Sequence, residues 1–233
     1  MKKAKPLSAE SATNSIQGVK RKTRSLDYFH GNLARDAKFC GQWDIPYVES
    51  SGIIPDKVIS FSKSIRANDY DRWVVFYEND TAFQRLWNNP EKYLPTLQKY
   101  KGIVGPDFSL YGDYPLALQI FNTYRSRVLT HWLKCNGVCV VPNVRWSTEY
   151  TYQFCFDGLK QEDIVFIGSH GCSKRNGDKQ LFERGLEEMI KRINPTVICI
   201  YGTVSPTVNE IISKHNIKLV IFESEFSVVH KER

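Results

Sequence analysis

Residues 102–146 read GIVGPDFSLYGDYPLALQIFNTYRSRVLTHWLKCNGVCVVPNVRW, and this stretch decides the fold. An apolar run, Ile103–Phe108, leads into a polar loop. A long amphipathic segment follows, and a second apolar run, Val138–Val144, closes the unit. Leu116, Ile120, Tyr124, Val128 and Trp132 recur every four residues, which places one apolar stripe on a helix predicted from about Pro115 to Lys134. Pro115 suits the first helical turn, Asp113 is positioned to cap it, and Gly137 suits the left-handed residue that ends a helix. Strand, helix, strand is the β/α/β unit, whose two strands lie parallel.

Further along the chain the same order repeats. Predicted strands are Val58–Ser62, Trp73–Glu78, Ile103–Phe108, Val138–Val144, Ile164–Ser169, Val197–Tyr201 and Leu219–Glu223. They are rich in Val, Ile and Phe and nearly continuous in hydrophobicity, as strands covered on both faces are. Helical patterns fall at Asp178–Asn194 and Thr207–His215, and Pro90 and Pro95 are expected to break residues 80–100 into short pieces. Tyr150–Phe156 reads as a short extra strand or helix. The fold class is α/β: repeated β/α units around a mainly parallel sheet, either an incomplete barrel or an open doubly wound sheet.

Composition agrees with one large domain. Of 233 residues, 42% are hydrophobic and 13% aromatic, enough for a substantial core. No apolar run approaches the roughly 20 residues that span a bilayer. The first residues carry lysines without an apolar segment, so no secretory signal is expected and a cytoplasmic location is the default. The net charge of +7 is uneven, because residues 1–24 hold seven of the 32 Lys and Arg against one acidic residue. Residues 1–25 are therefore read as a disordered basic tail and 26–233 as a single α/β domain. Leu26–Ser51, with its aromatics, is expected to pack on that domain. Lys20, Arg21, Lys22 and Arg24 form a cluster able to meet phosphates without sequence preference.

Parallel β/α folds of both kinds bind ligands at the carboxyl ends of their strands. The candidate site residues are the polar groups that follow the apolar runs. Asp107, His170, Glu78 and Glu223 are the candidates for proton transfer, since carboxylates and imidazole exchange protons near neutral pH. Asn143, Arg145, Trp146, Arg127, Ser169 and Tyr201 are the candidates for holding a substrate. Arg127 lies in mid-helix, where a structural ion pair competes with ligand contact. The six cysteines form no CxxC pair, so a zinc site is not expected and no metal ligands are assigned. Walker A, GxGxxG, GxSxG and HExxH patterns are all missing, and no motif names a cofactor.

Five motifs, GPDFSLYGDYP, NTYRSR, VVPNVRW, FCFDGL and IGSHGC, together resemble an uncharacterised family, a domain of unknown function found in bacteria, phages and mobile elements. The resemblance covers roughly residues 35–225 and implies no reaction; the phage or mobile-element setting points to nucleotides or nucleic acid as the partner. Three functions follow as expectations. The first is an enzyme acting on a nucleotide-like or phosphate-bearing ligand at the strand ends. The others are a nucleic-acid-binding accessory protein and a protein that sequesters a nucleotide signal unchanged.

Overall fold

The computed structural model describes residues 30–169 and 176–224, and the fold lies in the unit Leu33–Arg233. The basic N-terminal segment and His170 lie outside the described residues. Two short strands, β1 (Phe39–Cys40) and β2 (Ile45–Pro46), pair antiparallel ahead of the main sheet. Ile45 and Val48 carry this segment into the core, as its aromatic and aliphatic content predicts.

Seven parallel strands then follow one another in chain order. The first sheet runs β3 (Val58–Ser60), β4 (Trp73–Val75), β5 (Gly102–Val104) and β6 (Val140–Val141). The second runs β7 (Ile164–Gly168), β8 (Val197–Tyr201) and β9 (Lys218–Phe222). They are joined where Asn143 bridges Phe166: Val144 N–H donates to the Phe166 carbonyl at 2.8 Å, and Phe166 N–H to that of Pro142 at 3.0 Å. A doubly wound sheet reverses its strand order at a switch point. Here the order never reverses, which is the barrel-type arrangement. Among the described residues nothing pairs β3 with β9, so the barrel is incomplete.

Alternation along the strands separates two faces. Trp73, Val75, Val104, Val141, Ile164, Phe166, Val197, Cys199, Tyr201 and Phe222 form a core cluster to which, among the described residues, no helix contributes. That cluster fills the concave interior. Val74, Phe76, Ile103, Val140, Val165, Ile167, Ile198 and Ile200 face the other way, onto the helices. The helices are α1 (Phe61–Ser64), α2 (Asp80–Asn88), α3 (Pro90–Leu97), α4 (Leu116–Cys135), α5 (Asn176–Ile193) and α6 (Pro206–Lys214). Burying a Phe- or Ile-sized side chain contributes roughly 1.5–3 kcal/mol. The double-sided burial of β4 to β8 is therefore the main source of cohesion.

Several predicted boundaries are corrected. Strands β3 to β6 have only two or three residues: the chain leaves the ladder after Ser60, Val75, Val104 and Val141, short of the predicted ends. Asp113 makes no capping bond to α4; Pro115 holds the cap position in extended geometry, and a proline N1 signal therefore lies one residue out of place. Pro90 does open a helix, whereas Pro95 sits within α3 without ending it, in a helix of only eight residues. Glu149–Gln153 is a 3-10 turn, which resolves the ambiguous Tyr150–Phe156 segment. Gly137 has φ +79°, the left-handed conformation expected after α4.

Candidate functional site

The carboxyl ends of β4, β5 and β6 surround a cavity of about 520 Å³, a size typical of small-ligand sites. Tyr77, Glu78 and Asn79 come from the end of β4. Asp107, Ser109, Leu110, Tyr111 and Gly112 come from the loop after β5, and Val144, Arg145, Trp146 and Ser147 from the segment after β6. Gly168 of β7 and the first turns of α5, through Asp178, Leu181 and Phe182, complete it.

Asp107 is at the centre of the polar network. Although only 7% exposed, it accepts Asn143 Nδ2 on Oδ1 at 2.8 Å and Arg145 Nη1 on Oδ2 at 3.1 Å. Asn143 is held in turn by Tyr77, whose hydroxyl donates to Asn143 Oδ1 at 2.8 Å. That bond leaves the Asn143 amide group oriented with its NH₂ toward Asp107. Burial pushes the Asp107 carboxyl above its ordinary 3.8, and Arg145 and Asn143 pull the other way without cancelling it. Burial also pushes the Tyr77 hydroxyl well above its ordinary 10, so it stays a donor at any working pH.

Two glycines make room for the walls. A Cβ on Gly168 would lie 2.6 Å from Tyr77 Cε1, so a side chain there would displace the ring at the cavity floor. Beneath the floor Tyr77 stacks on Tyr201, centroids 4.9 Å apart. A Cβ on Gly185, inside α5, would meet the Trp146 indole at 2.0 Å. Glycine within a helix costs about 1 kcal/mol against alanine, and here it admits the indole that stacks on Phe182 at 5.2 Å.

The helix arginines hold the loops that carry the site. Arg127, 2% exposed, donates Nη1 to the Asn143 carbonyl at 2.6 Å and Nη2 to that of Cys155 at 2.9 Å. Its Nε donates to the Asp157 carbonyl at 3.4 Å. With all three nitrogens on backbone acceptors, it fixes the segment after β6 instead of facing the cavity. Arg125 bonds Gln84 and Asn122, and its guanidinium lies 3.8 Å over the Phe108 ring. Asn122 passes the support on to the Ser109 carbonyl at 2.7 Å. Burial lowers both arginines to about 10, which leaves them charged at neutral pH. Asp80 ties the same loop from α2, accepting Ser109 N–H at 3.1 Å and its hydroxyl at 2.7 Å.

Among the predicted site residues, Asp107, Glu78, Arg145 and Trp146 therefore line one cavity, and Asn143 stands directly behind Asp107. The others are placed elsewhere. Ser169 is buried with its hydroxyl donating to the Thr203 carbonyl at 2.7 Å. Tyr201 lies beneath Tyr77 in the interior. Glu223 is exposed and is not among the described residues that line the cavity. Sequence reasoning does not reach Tyr77 or Tyr111, and it reads Asp178 only as a helix start. The alternation Trp73, Val75, Tyr77 along β4 is the available signal for Tyr77, since it puts the ring on the interior face. Among the described residues no group of three or more His, Cys, Asp or Glu is arranged to hold a metal ion. No helix of the described residues is long and apolar enough to cross a membrane.

The family model described as Domain of unknown function (DUF4417) matches residues 37–221. Two curated relatives, both named Gene 1 protein, come from mycobacteriophages. The chain is 37% identical to that of Mycobacterium phage D29 over 127 residues, 54% of this chain and 47% of the relative. It is 31% identical to that of Mycobacterium phage L5 over 175 residues, 73% of this chain and 76% of the relative. The matched stretch thus spans about half of the D29 protein and three quarters of the L5 protein. No solved structure matches the chain.

Proposed function

The chain belongs to this family of domains of unknown function, and on that premise we propose that it is an enzyme acting on a nucleotide-like or phosphate-bearing ligand. What supports the reading above all is a buried carboxylate, Asp107, held by Asn143 and Arg145 at the edge of a ligand-sized cavity at the strand carboxyl ends. A carboxyl raised by burial is a stronger proton acceptor than an exposed one. In this reading Asp107 takes a proton from the ligand, Glu78 assists from the end of β4, and Arg145 orients the ligand. Asn143 and Tyr77 are positioning residues that aim Asp107. His170 enters from sequence alone.

The test is a thermal-shift and calorimetric screen of the full chain against nucleosides, nucleotides and sugar phosphates, with product analysis by mass spectrometry. One class should bind and be converted. Asp107→Asn should fold normally and lose conversion. Conversion that survives Asp107→Asn would end the assignment of Asp107, and absence of any ligand would end the enzyme reading.

The charge distribution favours a second reading. Lys20, Arg21, Lys22 and Arg24 give the N-terminal segment most of the chain's net charge, as an accessory protein that holds nucleic acid by its phosphates would need. Deleting residues 1–24 separates the two readings. Nucleic-acid binding that disappears with the segment, without any small-ligand binding, favours the accessory protein.

A further inference from the structure

The cavity's hydrogen-bonding valences point to what enters it. Tyr77 donates its hydroxyl hydrogen to Asn143 Oδ1 at 2.8 Å, and Asn143 donates to Asp107 at 2.8 Å. Ser109 donates its hydroxyl hydrogen to Asp80 at 2.7 Å, and Ser147 N–H donates to Thr151 Oγ1 at 3.0 Å. These hydrogens are thus committed within the protein, and the carboxylates of the lining present oxygen lone pairs. Among the charged lining residues, Glu78, Asp107 and Asp178 are carboxylates. Arg145 is the one lining cation among the described residues, and it already pairs with Asp107 at 3.1 Å. A carboxylate has about four acceptor sites, and the Glu78 side chain uses one oxygen for Ser62 N–H at 3.0 Å.

A phosphate brings only acceptors and negative charge, so beside Glu78, Asp107 and Asp178 it would meet like charges. A sugar diol or the amino group of a base brings donors and no charge. Resting on the reading of the cavity as a nucleotide-like ligand site, we infer that it takes the nucleoside end of the ligand. Hydroxyl or amino donors go to Glu78 and Asp178, any phosphate stays at the mouth, and the selected substrate class is the nucleoside. The volume of about 520 Å³ holds such a group, and the ring of Tyr111, which is 49% exposed, borders the opening where a base can lie against it.

Calorimetry on the full chain tests this with adenosine, cytidine, guanosine and uridine, their 5′-mono- and triphosphates, and inorganic phosphate and pyrophosphate. At least one nucleoside should bind within about threefold of its monophosphate, and neither inorganic anion should compete. Glu78→Gln and Asp178→Asn should each weaken that nucleoside on the order of tenfold, the loss of one hydrogen bond to a charged group, with melting temperatures confirming that both variants fold. A triphosphate at least tenfold tighter than its nucleoside, with pyrophosphate competing, would overturn the inference and leave the nucleotide-site reading standing. No binding by any of these compounds would overturn both.

Discussion

The two halves of the barrel differ in strand length and in what they contribute. Strands β7, β8 and β9 have five residues each and pair in unbroken register. Among the described residues they supply only Gly168 to the cavity. Strands β3 to β6 have two or three residues each, and the segments beyond β4, β5 and β6 supply every other strand-end group in the cavity wall. Where pairing stops early, the backbone is free to turn and present side chains inward. The bonds it gives up are replaced by side chains: Arg127 on three carbonyls, Asn122 on Ser109, Asp80 on the same loop. A long-strand half serves as scaffold, and a short-strand half held by buried polar groups forms the site.

The comparison breaks most readily at Arg127. Arg127→Ala leaves three backbone carbonyls without their donor and, at about 1–3 kcal/mol for each buried acceptor left unsatisfied, should lower unfolding free energy by about 3 kcal/mol or more, measured by urea denaturation. A loss under about 1 kcal/mol would mean that the short-strand half is held by something else. Next comes the one site contribution of the long-strand half. Gly168→Ala forces a methyl against Tyr77 and should cost about 1–3 kcal/mol and displace the floor. Gly177→Ala, whose added methyl would have nothing within 4 Å, should be neutral or stabilising by up to about 1 kcal/mol. Equal effects at the two glycines would remove Gly168 from the site.

A smaller effect follows from the direction of the Asp107 shift. A carboxyl whose folded pKa lies above its unfolded 3.8 penalises the folded state when ionised, and the penalty fades as pH falls through the folded value toward 3.8. Wild type should therefore gain stability relative to Asp107→Asn as pH is lowered across that window, read as the difference of two melting curves. A gap that widens in the opposite sense would show that Arg145 and Asn143 outweigh burial. The least effect is expected from thiol labelling, which samples both halves. Burial pushes Cys155 and Cys199 up to about 12, so both should resist alkylation at pH 8 until the protein unfolds, while exposed Cys135 reacts.

The starts of the strands are legible in the sequence because runs such as Val197–Tyr201 are bounded by polar residues and have no competing period. Their ends are less so. Phe76 and Phe108 fall within the predicted strands, yet they lie past β4 and β5, where loop geometry replaces the ladder. Asp107, Asn143 and Arg145 can be found because a general rule puts ligands at strand ends. Arg127 is harder to place: its helix position suggests distance from the strand ends, but its guanidinium reaches the Asn143 carbonyl. Tyr77 is hidden by chemistry, since a tyrosine in VVFYEND reads as strand filling until the opposite strand is known to end in Gly168.

Tyr77 rests on Tyr201, a residue from the far side of the chain order. Most groups that shape the cavity are encoded by Ser147, with Gly168 and the start of α5 completing the wall, yet the Tyr201 face on which the floor stacks comes only with β8. A fragment ending before β8 would keep all the lining side chains of the site and lack the ring beneath its floor. The cavity is thus built early in the chain and braced late: its walls are encoded before the strand that underlies its floor.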